Sequence, residues 1–271
     1  MRDAGAAERA AARDTAGTLA VIVPVFNEAS GIGPTLRQLA AQRNADFDAI
    51  FVDNGSTDGS RAVIEAFAAE RGLHRWRVID EPQKGTGAAA DTGMRLAIAA
   101  GATMLARTDA DCLPRLDWTA RIRRALTPTR EGGLGLELVA GLLVPRHDEG
   151  LGPVQRAALT GAVRVADAFG VLRPANNGPE FHGPYVMAAG CNVAITASMY
   201  IGSGGFPRTA IEDLHEDRAL VNAVRRLTGR IARRNDVVVR GSSRRVQAWG
   251  LKNTLLWYKD HAYRPDHVDI R

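Results

Sequence analysis

The run at residues 19–26, Leu-Ala-Val-Ile-Val-Pro-Val-Phe, constrains this chain more than any other segment because it offers water no polar face. A strand with one side in solvent alternates apolar and polar residues. A continuous β-branched run instead suits a strand covered on both faces, as in a parallel sheet with helices above and below. The next segment changes period: Ile32, Leu36, Leu39 and Ala40 recur at helical spacing, with Ser30 placed to cap the helix and Pro34 in its first turn. Residues 49–53 then read as a second buried strand, 55–60 as a turn, and the following stretch as a helix turning Val63, Ile64 and Phe67 inward. A strand at 76–79, a helix over 85–100 closed by Gly101, and a strand at 103–106 complete a β-α-β-α-β-α-β order. That order predicts an α/β fold with a doubly wound sheet, whose ligand crevice lies beyond the carboxyl ends of the strands.

Polar residues fall where such a crevice would be. Asn27 and Glu28, Asp53 and Asn54, Lys84, and Asp109 and Asp111 each follow an apolar strand, so all should converge on one edge of the sheet. Asp109 and Asp111 flank Ala110 on a short extended segment, and carboxylate oxygens are the hard ligands that Mg²⁺ or Mn²⁺ prefers. Lys84 stands out because lysine occurs elsewhere only at 252 and 259, the other basic residues being arginines. Its turn with Gly85 opens a helix, where a cation and free amides both favour negative charge, although taken alone such a pair reads as a solvated turn. Asp91, a turn and a half along that helix, reads as readily as a surface residue.

Composition narrows the classes. With 45% apolar and 24% charged residues the chain is an ordinary globular protein, and its 271 residues allow one substantial core. A net charge of +5 favours anionic partners such as nucleotide phosphates or anionic lipid. Nucleic acid is not expected, since no reading motif or interleaved aromatics accompany the arginines. Cys112 and Cys191 have no metal-like spacing and read as reduced thiols in a cytoplasmic protein, Cys112 as a small packer at a strand end. Residues 1–17 lack the apolar core of a secretory signal and read as a disordered tail, and no run spans a bilayer, which leaves peripheral contact with its inner face compatible.

Past Trp118 the alternation weakens. Residues 118–126 look helical, 136–144 like a strand, 154–169 like an amphipathic helix, 173–183 like a loop, 214–227 like a helix ending at Gly229, and 237–239 like a strand. The end of the chain, with Leu255, Leu256, Trp257 and Tyr258, suits packing on the domain first, and a homodimer contact or a membrane surface after that.

The segments Val-Ile-Val-Pro-Val-Phe-Asn-Glu (21–28), Val-Asp-Asn-Gly-Ser-Thr-Asp-Gly-Ser (52–60), Lys-Gly-Thr-Gly-Ala-Ala-Ala-Asp-Thr-Gly (84–93) and Thr-Asp-Ala-Asp (108–111) together resemble family 2 glycosyltransferases of the GT-A fold. The likeness extends at falling strength to about residue 231. It implies a mixed, mostly parallel sheet with helices on both faces, one domain over residues 18–250 with a donor half (19–111) and an acceptor half (112–250), and a C-terminal extension at 251–271. It further implies an inverting transfer of sugar from a nucleotide-diphosphate sugar, a UDP-sugar first, to the hydroxyl of a small-molecule, lipid-linked or glycan acceptor, with Mn²⁺ or Mg²⁺ as cofactor.

By the same resemblance Pro24, Val25, Asn27, Glu28 and Asp53 would hold base and ribose, with Asn54 where the family usually has a second aspartate. Lys84 and Gly85 would lie near ribose or diphosphate. Asp111 would ligate the metal first, with Asp109 beside it or on ribose, and Ala110 between them. Apart from the resemblance, Ser242, Arg244 and Arg245, after the strand at 237–239, read either as part of a solvated basic face and loop or as a lid closing over the diphosphate. The segments Gly190-Cys191-Asn192-Val193-Ala194 and Gly204-Gly205-Phe206-Pro207 resemble the acceptor side. The acidic pair Glu216-Asp217 fits the position of the general base better than Glu212-Asp213, giving Asp217 first and Asp213 as the alternative, while His215 is a minor candidate for the metal. Two other functions are open: on the same fold a sugar-phosphate nucleotidyltransferase, disfavoured because its glycine-rich basic loop after the first strand is missing, and from a different class a non-catalytic nucleotide-sugar-binding protein, disfavoured by the retained acids Asp109, Asp111 and Asp217.

Overall fold

The computed structural model describes residues 17–172, 174–208 and 216–258. Its strands are β1 (Leu19–Val25), β2 (Phe47–Asp53), β3 (Trp76–Asp80), β4 (Met104–Arg107), β5 (Leu113–Pro114), β6 (Leu138–Pro145), β7 (Val193–Thr196) and β8 (Ile231–Gly241), joined in one sheet ordered β3-β2-β1-β4-β7-β6-β8-β5. β1 pairs in parallel with β2 and β4, and β2 with β3. β7 runs antiparallel to both β4 and β6, β8 is parallel to β6, and β5 is antiparallel to β8. Six of the eight strands therefore point one way, and the expected mixed, mostly parallel sheet is borne out.

The helices are α1 (Gly33–Ala40), α2 (Ser60–Glu70), α3 (Thr86–Ala99), α4 (Trp118–Leu126), α5 (Pro153–Leu172), α6 (Ala197–Gly202), α7 (Glu216–Arg225) and α8 (Arg244–Tyr258). Leu19, Val21, Val23 and Val25 of β1 pack on one side with Ile32 just before α1, Leu36 and Leu39 of α1, Ile64 of α2 and Trp118 and Ile122 of α4. Ala20 and Ile22 face the other side, against Ala89, Ala90 and Met94 of α3, Tyr200 of α6 and Leu220 and Val224 of α7. Two covered faces are why the strand sequence shows no alternation. Each wholly buried Val, Ile or Leu contributes about 1.5–3 kcal/mol relative to exposure. α3 lies so close to the sheet that a Cβ at Gly93 would meet Ile22 Cγ2 at 2.7 Å and Val52 Cγ2 at 2.8 Å.

Several details depart from the sequence reading. Val63 is 37% exposed, leaving Ile64 as the residue of α2 that enters the core. Ser30 does not cap α1; Ile32 stands at the N-cap, and the carbonyl of Glu28 takes the amides of Gly31 and Ile32. Asp91 is 2% exposed rather than on the surface, because its carboxylate is bound by Arg95, Arg208 and the Tyr200 hydroxyl. β5, β7 and α6 were not foreseen; all are short, too brief for a period to register. α8 runs from Arg244 past the expected boundary at 250, with a break in helical backbone at Gly250 (φ 76°, ψ 162°). Apart from Gly17, the expected N-terminal tail lies outside the described residues, as does the chain beyond 258. Among the described residues no helix is long and apolar enough to cross a membrane.

Candidate active site

The order β3-β2-β1-β4 brings four parallel carboxyl ends to one edge, and their loops are stitched together. The amide of Asn27 donates to Ser56 Oγ (2.9 Å), that of Glu28 to Ser60 Oγ (2.7 Å), and that of Ala29 to Asp58 Oδ2 (2.8 Å). In return Thr57 donates its amide to Asn27 Oδ1 (2.9 Å), which fixes the left-handed backbone of Asn27 (φ 50°). Asp53 is buried; its Oδ1 accepts the amide of Ser56 (2.8 Å), and its Oδ2 takes no bond from the described residues. Asn54 is used inside the protein: Nδ2 donates to the carbonyls of Glu81 (2.8 Å) and Gln83 (2.7 Å), and Oδ1 accepts from Gly85 (2.9 Å). It therefore holds the β3–α3 loop. Gly85 begins α3 at φ 132°, a backbone that favours glycine, and Lys84 beside it is exposed. Pro24 and Val25 are buried in β1, Val25 giving its carbonyl to the Asn54 amide (2.8 Å), and Ala110 is buried in the core beneath the Asp109–Asp111 loop.

Two arginines bind the carboxylates. Arg244 donates through its two terminal nitrogens to Glu28 (2.7 and 3.2 Å), and one of them also reaches Asp111 Oδ2 (2.8 Å). Arg107, whose side chain is 2% exposed, donates from Nε to Asp109 Oδ1 (3.2 Å) and from a terminal nitrogen to Glu216 Oε1 (3.2 Å). Burial pulls both guanidiniums toward the neutral form, but the acids more than offset it, so both are held above the ordinary arginine value. Arg107 was missed by the sequence reading because it ends an apolar strand. The signal was there: a cation at an inward position needs a buried acid.

Asp217, next to Glu216 in the first turn of α7, accepts the amides of Arg218 (2.7 Å) and Gly190. Loss of solvent and the charge of Glu216 push its carboxyl up to about 6, against the pull of those amides and Arg107. Loss of solvent also raises Asp109, with Arg107 opposing and Asp111 and Glu216 adding to the rise. Asp213 and His215 lie outside the described residues.

Glu28, Asp109, Asp111, Glu216 and Asp217 thus set five carboxylates against two guanidiniums, an excess of three negative charges when all are ionised. Asp109 and Asp111 keep about a third of their side-chain surface open, 33% and 28%. Such hard oxygen donors in a net negative crevice fit a divalent ion. Among the described residues no group of three or more acids, histidines or cysteines is arranged to hold one alone.

The acceptor-side segments divide. Asn192 is 1% exposed: its Oδ1 accepts Trp118 Nε1 (2.9 Å) and its Nδ2 donates to the carbonyls of Leu142 and Val237 (3.0 Å each). It ties α4, β6 and β8 together, so within residues 190–194 this side chain has a packing role. Cys191 and Cys112 are both free and buried; the Cys112 thiol donates to Asp111 Oδ1 (3.4 Å), and its neighbour Cys191 together with burial raises it well above its ordinary value. Ser242 and Ser243 are bound by Glu149, which also pairs with Arg146, and Arg146 donates to the carbonyl of Asp111 (2.8 Å). The Arg244 segment is thereby anchored over the Asp111 loop.

Comparison with known proteins agrees with this architecture. Residues 20–139 match the model of "Glycosyl transferase family 2". Glycosyltransferase AglE of Haloferax volcanii is 32% identical over 125 residues, covering 45% of this chain and 38% of that protein. Among solved structures, the mannosyltransferase PcManGT from Pyrobaculum calidifontis in complex with GDP-Man and Mn²⁺ superposes with a TM-score of 0.58 at 23% identity, over 82% of this chain and 56% of that one. Glucosyl-3-phosphoglycerate synthase from Mycobacterium tuberculosis, in complex with Mn²⁺, UDP-glucose and phosphoglyceric acid, gives 0.54 at 19% identity over 94% and 83%. The chain thus spans well under two thirds of the curated relative and of the mannosyltransferase, and the fold is of the GT-A type.

Proposed function

Because residues 20–139 belong to glycosyl transferase family 2, we propose that this chain transfers a sugar from a nucleotide-diphosphate sugar to an acceptor hydroxyl with inversion. One observation carries the reading: the acids after β1 and β4 and the acidic pair opening α7 are joined through Arg244 and Arg107 into one crevice at the carboxyl edge of the sheet. On this reading residues 18–250 act as one unit. Asp53, with one carboxylate oxygen available, accepts from base or ribose, and Lys84 approaches the diphosphate.

Asp217 takes the proton of the acceptor hydroxyl. As that oxygen bonds to the anomeric carbon from one side, the bond to the phosphate oxygen breaks on the other, and its electron pair leaves with the nucleoside diphosphate. A carboxyl near 6 is ionised at neutral pH yet basic enough to share a proton in the transition state. A divalent ion held by Asp111 and Asp109 would supply charge to offset the departing diphosphate. Arg244 leaves Asp111 for the diphosphate when donor and ion enter, so that its present pairs hold it in reserve. The ligands named for the two solved relatives, GDP-Man and UDP-glucose with Mn²⁺, support the donor class.

The test is thermal shift with UDP-, GDP- and dTDP-sugars, with and without Mn²⁺ or Mg²⁺. One nucleotide-sugar should raise Tm, and Asp111→Ala should remove the metal-dependent part of the shift. No shift with any of them overturns the proposal.

A further inference from the structure

Arg107 is an expensive residue to bury, since an arginine loses its water at a cost of several kcal/mol and hydrophobic replacement of a buried ion pair is often neutral or stabilising. Nothing about the apolar strand it ends requires a charge there. Its surroundings, however, are shaped to receive one. Asp109 and Glu216 take separate nitrogens of the guanidinium at 3.2 Å each, and the ring of Phe206 lies beneath it, 5.2 Å from Cζ. Against it lies Gly190, where a Cβ would stand 3.2 Å from Cζ and from both terminal nitrogens. Gly190 also gives its amide to Asp217. Residues 109, 190, 206 and 216, from four separated stretches of chain, therefore close round one cation, and the glycine touching it also touches the proposed base.

We propose that Arg107 is a positioning residue for the transfer step: its guanidinium, shared between Asp109 and Glu216, sets where the Glu216–Asp217 turn stands relative to the donor carboxylates. This rests on the reading of Asp217 as base. The shape of the cation matters as much as its charge. A guanidinium offers donors in a fixed fork and can address two carboxylates from different nitrogens, whereas an ammonium is a point charge on a flexible stem. Arg107→Lys should therefore keep the charge and lose the alignment. Glu216→Gln should keep the shape of the partner and lose the charge that holds it.

The experiment measures kcat as nucleoside diphosphate released from the UDP- or GDP-sugar that stabilises the protein, and Kd for UDP or GDP by calorimetry. In Glu216→Gln, kcat should fall about 100-fold, the loss that a misplacement of about 1 Å produces, while Kd stays within about threefold. In the double variant Arg107→Lys/Glu216→Gln, kcat should be no lower than in the worse single variant, because both changes break one contact. An unchanged kcat in Glu216→Gln, or losses that multiply in the double variant, overturns the inference. If Arg107→Lys does not fold, Glu216→Gln with Gly190→Ala carries the test: Gly190→Ala must lower kcat with Kd held, and parental kcat overturns the inference. A parental kcat in Asp217→Asn overturns the base reading and this inference together. Loss of kcat there with none in Glu216→Gln overturns this inference alone.

Discussion

The loops after β1, β2 and β3 and the segments that face them from β7 and α7 border the same crevice, but they are held in unlike ways. On the donor side the bonds are neutral or N-cap-like and run between neighbouring parallel strands, and all but the buried Glu28–Ser60 bond stay partly open to water: Ser56, Ser60, Asp58 and Asn54 each catch the backbone of the next loop. On the acceptor side the contacts are buried and non-local. Arg107 meets Glu216 across 109 residues of sequence, and Asn192 meets Trp118 across 74. A partly hydrated bond that breaks is replaced by water, whereas a buried one leaves its partner stranded. The donor edge should therefore tolerate loss of single contacts, and the acceptor edge should not.

The largest effect expected is chemical. Asp217→Asn keeps the shape of the side chain and removes its basicity, so turnover should fall by about 10²- to 10⁴-fold while UDP or GDP binding is spared. Steady-state kinetics beside calorimetry check this. If binding falls in proportion to turnover, the two edges are not separate in function and the comparison fails.

The next two changes set matched asparagines against each other. Asn192→Ala strands the Trp118 Nε1–H and the carbonyls of Leu142 and Val237 in the core, at a cost of about 3 kcal/mol. Asn54→Ala also breaks three bonds, but at half-exposed groups that water reaches, so about 1 kcal/mol is expected, with weaker nucleotide binding as the loop of Lys84 and Gly85 loosens. Urea unfolding of the two variants side by side measures the difference. Equal losses would show that burial does not separate the two edges.

The same contrast explains what could be read from the chain. The donor edge was legible because each of its polar residues directly follows an apolar run, so the β-α-β order by itself predicts that Asp53 and Asp111 share an edge. Their local use was less legible. Nothing at Asn54 says that its amide will face the backbone of residues 81–85 rather than a ligand, since both uses need the same donors and acceptor. The acceptor edge was legible only through the resemblance. β7 has four residues and β5 two, too few for a pattern, and Asn192 looks polar in sequence while occupying the core. Arg107 could have been flagged by one rule, that an arginine in a strand otherwise buried implies an acid from elsewhere, although its partner could not have been named.

The shift of the pH limb is the most direct reading of the acceptor edge. The Asp217 carboxyl is held up to about 6 by lost solvent and by Glu216, while Arg107 and the amides of Arg218 and Gly190 pull it down. A raised carboxyl is protonated below its pKa and cannot accept the acceptor's proton, so kcat/KM should climb with pH through about 6 and level off above it. One unit below that midpoint only about a tenth of the sites are ionised, a tenfold loss equivalent to 1.4 kcal/mol. Glu216→Gln removes a negative neighbour and should move the limb to lower pH. Asn54→Ala, on the donor edge, should leave it in place. A limb that stays put in Glu216→Gln, or moves in Asn54→Ala, would mean that the group titrating in turnover is not the carboxyl beside Glu216.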